Sequence, residues 1–295
     1  MTEQLKKLFV NNIELIDMTD KAVLAFREQN YLTALEYMPK ISEGMRNILD
    51  VIISNREYFE LVSADSLIEM LEGIFEASKC VDYVLLADLL ELQLSTLLCN
   101  VQELIMKKEE ILCFDEELYR VQCDCMKTAM ERALNAESAE RLFAKPLEPE
   151  KLLEKGYRVE FTSCGLRTVA VGTEKGAIYL HSNHKALLEA HMLARNWMEK
   201  GTQAYLVQGF GMGYHIKELA NLAKGARIEV YESDAQVLKL ACAFAPVKEL
   251  LEDKRISIVY DKNGIKWEER KSALTDNEKI CNHMPSLMAS KNGNL

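Results

Sequence analysis

The sequence lacks several features that would place the chain in a specialised class of protein. No run of roughly 18 uncharged apolar residues occurs, which argues against a membrane-spanning helix. The first residues lack the basic-then-apolar order of a signal peptide. The eight cysteines are sparse for 295 residues and form no Cys-x-x-Cys pair, so we expect reduced thiols in a cytoplasmic protein. The net charge of −10 lacks the basic surplus that nucleic-acid binding requires.

Glycine and proline are scarce in the first half of the chain. Only Gly44 and Gly73 of the thirteen glycines, and only Pro39 of the five prolines, precede Lys145. This segment carries 27 acidic and 15 basic residues, whereas the remainder carries 19 and 21. A long acidic segment with little glycine or proline is typical of helices, and glycine-punctuated sequence is typical of strands and turns. Residues 1–145 are therefore predicted to form an all-helical domain that ends at a short proline-containing linker.

Apolar residues recur at helical spacing through this first half, most densely between Val81 and Ile111. Such stripes are typical of helices that pack on one another in a bundle. A protein-docking surface is the alternative, and nothing in the local sequence separates the two interpretations. No histidine precedes His181, so the cysteines of this half lack nearby nitrogen ligands and predict no metal site.

The second half opens with the alternation of apolar and polar residues that is typical of strands. Tyr157–Phe161, Leu166–Val171 and Ala177–Leu180 follow this pattern, and glycines separate them. We predict a small antiparallel β meander over residues 150–182.

A β-α-β-α-β order follows over residues 183–262. The predicted strands are Ala204–Gln208, Arg227–Tyr231 and Ile256–Tyr260, and helical patterns lie between them. This order implies a parallel sheet with right-handed crossovers. Residues 263–295 are predicted to be a polar tail, so the three-stranded Rossmann-like unit is expected to be truncated. The expected fold class is α + α/β: a helical domain, a small meander and a parallel α/β unit.

The most informative motif joins the first strand of the parallel unit to its helix. Gly209, Gly211 and Gly213 permit a tight turn and let a ligand approach the main chain at a helix N-terminus. Glu232 lies 19 residues after Gly213 and ends the next strand, where a carboxylate can accept hydrogen bonds from ribose hydroxyls. Tyr214 occupies the position where the dinucleotide-binding fingerprint has its third glycine, so the pattern is instead typical of class I methyltransferases. The alternative is that the glycines only form a turn and Glu232 is a surface carboxylate.

Histidines flank the two predicted helix starts. His215 lies beside the glycine loop, where it could contact a ligand or simply pack. His181 and His184 have a spacing compatible with a metal pair, but no carboxylate accompanies them in a recognisable pattern, and we predict no metal site. Ser182 or Asn183 can cap the helix that follows. The predicted ligand-binding residues are Gly209, Gly211, Gly213, Tyr214, His215 and Glu232, with His181, Ser182 and His184 as secondary candidates.

The segment Tyr205–His215, followed by Val230–Glu232, resembles the amino-terminal α/β domain of motility accessory factor proteins, the Maf-type flagellin glycosyltransferases of bacteria. The upstream segment Ile178–Ser182, with Glu189 after it, resembles the lead-in to that domain. The resemblance covers roughly residues 155–262 and does not include the helical first half.

The resemblance implies a role in flagellin glycosylation. The family transfers nonulosonic acids, such as pseudaminic acid, from CMP-activated donors to serine or threonine of flagellin. A CMP-sugar is therefore the implied ligand and flagellin the implied partner. The family's transfer activity is assigned to a central domain after the one matched, so we expect the chain to lack its complete catalytic part.

Two further functions remain open at this point. An S-adenosylmethionine-dependent methyltransferase-like enzyme would use the same glycine loop and Glu232, and would need an acidic or aromatic motif after its fourth strand. A non-enzymatic module would instead dock a partner protein through its helices, with the α/β unit as a scaffold.

Overall fold

The chain forms two compact units in the computed structural model. Unit 1 consists of Met1–Leu112 together with Ser163–Leu166, and unit 2 consists of Cys113–Thr162 and Arg167–Leu295. The residues that the structure describes are 2–60, 62, 64–109, 114–134, 136–174 and 176–292.

Unit 1 is built from helices whose starts are capped by polar side chains. Thr2 Oγ1 accepts a hydrogen bond from the N–H of Leu5, and Asn30 Oδ1 accepts one from the N–H of Thr33. The helices are α1 (Glu3–Arg27), α2 (Tyr31–Ser54), α3 (Ala64–Lys79), α4 (Tyr83–Asp88) and α5 (Ser95–Glu109), with a π-helical segment, Leu89–Leu94, between α4 and α5.

Buried amides connect the segments of unit 1. Asn12 donates to the carbonyl of Leu98 (2.8 Å) and to Gln102 Oε1 (2.9 Å). Gln102 in turn donates to the carbonyls of Phe9 and Cys164, each at 2.9 Å. Because a buried amide without partners would be costly, these bonds fix α1, α5 and the short Ser163–Leu166 segment together.

The helical stretch Tyr83–Glu109 is long and apolar enough, by length and composition, to cross a membrane, and it is the one such helix among the described residues. Leu86, Leu90, Leu94 and Leu98 on this stretch are fully buried inside unit 1. This burial is typical of a helix at the centre of a packed bundle.

Unit 2 contains the predicted antiparallel meander. Its strands are β1 (Tyr157–Phe161), β2 (Arg167–Thr173) and β3 (Gly176–Tyr179), in the order β1-β2-β3. Val159 pairs with Val169, and Val171 pairs with Ile178. Among the described residues, no strand precedes Tyr157.

The second sheet is parallel and has four strands. They are β4 (Ala204–Gln208), β5 (Arg227–Glu232), β6 (Ile256–Tyr260) and β7 (Glu278–Asn282), in the order β6-β5-β4-β7. In the middle of the sheet, Gln208 on β4 pairs with Tyr231 on one side and Asn282 on the other. With the helices of unit 1, this arrangement confirms the α + α/β fold class.

The predicted polar tail over residues 263–295 is wrong. This segment instead contains α12 (Ile265–Ser272), strand β7 and α13 (Met284–Asn292). Strand β7 lies at the sheet edge and has polar residues at three of its five positions, which hides it from a hydrophobicity pattern. Arg270 of α12 pairs with Glu278 of β7 and, at 2.9 Å, with Glu229 of β5, so the charged residues of this segment stabilise the sheet.

The predicted domain boundary near Lys145 also differs from the observed division. Gln122 donates to the carbonyls of Cys242 (2.7 Å) and Ala245 (3.0 Å), and its Oε1 accepts from the N–H of Val247 (2.8 Å). These buried bonds fix the helix of Gln122 in unit 2. The remaining helices of unit 2 are α6 (Glu116–Glu131), α7 (Ala136–Phe143), α8 (Ala186–Trp197), α9 (Tyr214–Leu222), α10 (Ala235–Phe244) and α11 (Lys248–Glu252).

Candidate functional site

The glycine loop joins β4 to α9 at the carboxyl edge of the parallel sheet. Gly209, Gly211 and Gly213 have φ angles of 99°, 52° and 80°, in the left-handed region that favours glycine. Gly213 is the N-cap of α9, and its carbonyl accepts a hydrogen bond from the N–H of Lys217. The backbone of this strand-to-helix turn therefore requires the three glycines.

Side chains fill the space beside two of these glycines. A Cβ atom on Gly209 would lie 2.6 Å from the Cβ of Ser286, and one on Gly211 would lie 2.8 Å from Nε2 of His181. Both distances are shorter than van der Waals contact, so a larger residue would displace its neighbours. In this conformation, Gly209 and Gly211 allow close packing of the protein itself.

Glu232, at the end of β5, is buried and holds the glycine loop. Its Oε2 accepts a hydrogen bond from the N–H of Phe210 (2.8 Å), and its Oε1 accepts from the N–H groups of Ser233 (2.8 Å) and Asp234 (2.9 Å). Burial raises the pKa of this carboxyl to about 7, although the three N–H donors act in the opposite direction. The alternative that Glu232 is a surface carboxylate is wrong, because only 3% of the residue is exposed.

Two further carboxylates lie at the same edge of the sheet. Asp261 follows β6, and its Oδ2 accepts a hydrogen bond from the N–H of Trp267 (2.8 Å). Asp234 caps α10 and accepts a hydrogen bond from the hydroxyl of Tyr157 (2.5 Å). Burial and the adjacent Asp234 carboxylate raise the pKa of Tyr157, so its hydroxyl stays protonated and donates.

A small cleft lies at the carboxyl ends of β4, β5 and β6, beside α13. Its volume is about 40 Å³, which is room for only a few water molecules. The residues that line it include Gln208, Gly209, Glu232, Asp261 and Ser286. The cleft therefore brings Gly209 of the glycine motif together with Glu232 and Asp261, the acidic residues at the ends of β5 and β6.

Three buried histidines meet beside Gly211. His181 follows β3, His215 lies in the first turn of α9, and His283 follows β7. The ring centroids of His215 and His283 are 4.0 Å apart, with an interplanar angle of 10°, and those of His181 and His283 are 4.8 Å apart. Burial lowers the pKa of all three histidines, and neighbouring imidazoles lower the pKa of His215 and His283 further. The rings are therefore neutral at pH 7.

The other predicted site residues have structural contacts. The Tyr214 hydroxyl donates to the carbonyl of Arg167 (2.7 Å), which places this side chain against β2. Ser182 Oγ accepts hydrogen bonds from the N–H groups of His184 and Lys185, both at 3.2 Å, in the turn that leads into α8. His184 is exposed whereas His181 is buried, so the structure separates the two histidines that were considered as a metal pair.

Three residues of this site were missed in the sequence. Asp261 directly follows an apolar strand, so the rule that identified Glu232 would have identified it too. His283 and Ser286 lie in the segment predicted as a polar tail, and no signal pointed to them once β7 was overlooked.

Comparisons with known proteins place few constraints on this site. No protein-family model matches the chain, and no curated protein matches it. Among solved structures, the crystal structure of MNMC2 from Aquifex aeolicus is similar to the chain, with 16% sequence identity and a TM-score of 0.26. The match covers 51% of this chain and 60% of that one, so the chain spans less than two thirds of that structure. At this level of similarity, function has to be inferred from the site itself.

Proposed function

We propose that the chain is a protein of the Maf-type flagellin glycosyltransferase family whose parallel α/β unit binds the nucleotide of a CMP-activated nonulosonic acid. The resemblance of Tyr205–His215 to that family supports the proposal. So does the meeting of the glycine loop with Glu232 at one edge of the sheet. The proposal includes a cytoplasmic location and flagellin as the acceptor protein.

The observation that carries the proposal is the position of the cleft in the sheet. In the order β6-β5-β4-β7, the chain runs outward from β4 to β6 and then returns to the other side of β4. Ligands of open parallel sheets bind outside the carboxyl ends of the strands, next to such a reversal. The glycine loop follows β4, and Glu232 and Asp261 follow the next two strands at this edge.

The chemistry of these groups suits a nucleotide. The first N–H groups of a helix favour a phosphate, so we expect the phosphate toward the N-terminus of α9. Carboxylates accept hydrogen bonds from ribose hydroxyls or from the amino group of a base, so we expect the nucleoside toward Glu232 and Asp261. Glu232 already accepts three backbone hydrogen bonds, which leaves capacity for about one more.

The cleft must open before it can hold such a ligand. Its volume of about 40 Å³ is far below the roughly 300–1,000 Å³ typical of small-molecule sites. Ser286, Leu287 and Ser290 of α13 line one side of it. Binding therefore requires these residues of α13 to move away from the ends of β4 and β5.

A methyltransferase-like enzyme that binds S-adenosylmethionine is the second candidate. The Gly-x-Gly-x-Gly loop after β4 and the acid that ends β5 favour it. Such an enzyme is expected to carry an acidic or aromatic group directly after its fourth strand. Strand β7 is instead followed by His283 and Met284, so this candidate ranks below the first.

Isothermal titration calorimetry of the full chain with CMP, a CMP-activated nonulosonic acid and S-adenosylmethionine separates the two candidates. We expect both cytidine nucleotides to bind, and Asp261→Asn to weaken binding about tenfold or more because a charge-assisted hydrogen bond is lost. Glu249→Gln changes a carboxylate whose side chain is 82% exposed outside the cleft, and should leave binding unchanged. Binding of S-adenosylmethionine alone would establish the second candidate. No binding of any of the three at millimolar concentration would contradict both.

A further inference from the structure

The three histidines beside Gly211 form a cluster that nucleotide binding does not use. One ring nitrogen of each histidine lies within 4.8 Å of one ring nitrogen of each of the others. None of the three residues is more than 1% exposed. His181 Nδ1, His215 Nδ1 and His283 Nε2 are buried and have no hydrogen-bond partner. Buried polar atoms without partners are uncommon, because each costs free energy unless it binds something.

A neighbouring carbonyl fixes the proton on the ring of His215, and a hydroxyl lies next to the ring of His283. His215 Nε2 lies 3.1 Å from the carbonyl of Gly209, which can only accept, so Nε2 carries the proton and Nδ1 keeps its lone pair. His283 Nδ1 lies 2.7 Å from the hydroxyl of Ser286. The hydroxyl can accept a hydrogen bond from Nδ1, and this arrangement leaves the lone pair on the unpartnered Nε2. His215 therefore has the tautomer that a metal ligand needs, with the other nitrogen donating to an oxygen, and His283 can adopt it.

His181 differs from the other two rings, because its Nε2 already accepts a hydrogen bond from the N–H of Met212 (3.2 Å) and its Nδ1 therefore carries the proton. An ion bound at Nε2 would replace this hydrogen bond. The Nδ1 of His181 lies 3.7 Å from a carboxylate oxygen of Glu189. A carboxylate behind a histidine is the usual support of a metal-bound imidazole, and it also supplies negative charge next to a cation.

We propose that His181, His215 and His283 bind a divalent transition-metal ion of the zinc class. Imidazole nitrogen suits zinc, nickel and cobalt. Zinc–nitrogen distances of about 2.0–2.1 Å require the ring nitrogens to move inward by on the order of 1 Å, and the nearly parallel rings of His215 and His283 to turn so that their lone pairs converge. Three protein ligands leave one coordination position for water or a small anion.

The site joins three parts of unit 2 that are far apart in the sequence. His181 ends the meander, His215 begins α9, and His283 leads from β7 into α13. An ion bound here would cross-link the start of α9, next to the glycine loop, to the end of the meander and to the segment between β7 and α13. Gly211 has no side chain that would block such an ion. This inference does not rest on the proposed nucleotide, since its evidence is the geometry of the three histidines alone.

The test uses the metals alone on the purified full chain. The protein is first stripped of metal with a chelator, then given zinc and dialysed to remove the excess. We expect one zinc ion per chain by elemental analysis, and a melting temperature above that of the stripped protein. Cobalt should give a visible d–d absorption band at one equivalent. Wild-type protein that takes up no stoichiometric zinc and gives no cobalt band would overturn the proposal and leave the cluster as core packing.

Histidine variants locate the ion. His215→Gln and His283→Gln should weaken zinc binding by more than roughly 100-fold, because loss of a supporting hydrogen bond alone typically costs about 10–100-fold. His184→Gln, at an exposed histidine outside the cluster, should bind zinc as the wild type does. Ser286→Ala removes only the hydroxyl next to His283 and should fold, with an intermediate loss of affinity. Unchanged zinc affinity in folded His215→Gln, His283→Gln and Ser286→Ala would place the ion elsewhere and overturn the proposal.

Discussion

Glu232 Oε2 accepts a hydrogen bond of 2.8 Å from the main-chain N–H of Phe210, so the buried carboxylate that ends β5 holds the glycine loop that follows β4. The two parts of the Gly-x-Gly-x-Gly and acid motif, 19 residues apart in sequence, are thus in direct contact. In this conformation Glu232 positions the glycine loop. A ligand that reaches Glu232 can donate only to the part of the carboxylate that does not already accept a backbone hydrogen bond.

The pH dependence of stability should depend on Glu232. Burial raises its pKa in the folded chain to about 7 from an ordinary value of 4.5, with the nearby Asp234 adding to the rise. The unfolded chain therefore loses this proton first as the pH rises. The contribution of Glu232 to the free energy of unfolding is complete below about pH 4.5. It decreases by on the order of 3 kcal/mol as the pH rises from about 4.5 to about 7.

Urea denaturation of wild type and Glu232→Gln between pH 4.5 and 8 measures this contribution. The contributions of the other titratable groups cancel in the difference between the two free energies of unfolding. The wild-type free energy of unfolding should decline relative to that of the variant across this interval and then level off. Parallel profiles for the two proteins would show that Glu232 titrates normally.

Gly211→Ala should destabilise the chain more than Gly225→Ala. Both glycines have positive φ, and an alanine there costs roughly 1–2 kcal/mol. A Cβ on Gly211 would also lie 2.8 Å from His181 Nε2, whereas one on Gly225 would meet nothing within 4 Å. Overpacking adds about 1–3 kcal/mol at Gly211. Chemical denaturation of both variants measures the difference, and equal losses would show that His181 does not pack against the loop as described.

Gln122→Leu should destabilise unit 2 by roughly 2–4 kcal/mol, because it removes the partner of the buried carbonyl of Cys242 and of the N–H of Lys248. The matched control is Glu117→Leu, which introduces the same side chain at an exposed position of the same helix. Differential scanning calorimetry compares the two. A loss at Gln122 no larger than at Glu117 would argue against the assignment of α6 to unit 2.

The 295-residue chain should bind a CMP-activated nonulosonic acid without transferring it to flagellin. The family resemblance assigns transfer to a domain other than the matched one. Incubation of the purified chain with donor and unmodified flagellin, followed by intact mass measurement, checks this. Stoichiometric sugar addition that is absent with Gly211→Val would show that these residues catalyse transfer themselves.

Much of the fold could be predicted because its signals are local. The alternation in Tyr157–Phe161 and the apolar run Ala204–Gln208 each identify a strand without reference to any distant residue. Strand β7 was not predicted because it has few apolar residues. It lies at the edge of the sheet, where Glu278 is tolerated because Arg270 forms an ion pair with it. The assignment of α6 to unit 2 was not predicted because the hydrogen bonds of Gln122 join residues more than a hundred positions apart in the sequence.

The candidate site was predictable only in part for the same reason. Gly209 to Gly213 and Glu232 form a spacing pattern that can be read along the chain. The meeting of His181, His215 and His283 depends on the return of the chain to the far side of β4, which no local pattern encodes.

Hydrogen–deuterium exchange of the full chain with and without a CMP-activated nonulosonic acid tests the central claim most directly. We expect protection in peptides that cover 208–215 and 231–236, and faster exchange in 284–290 as α13 moves from the cleft. Protection confined to unit 1, or no change in the peptides of the glycine loop and Glu232, would contradict the assignment of the nucleotide to this edge of the sheet.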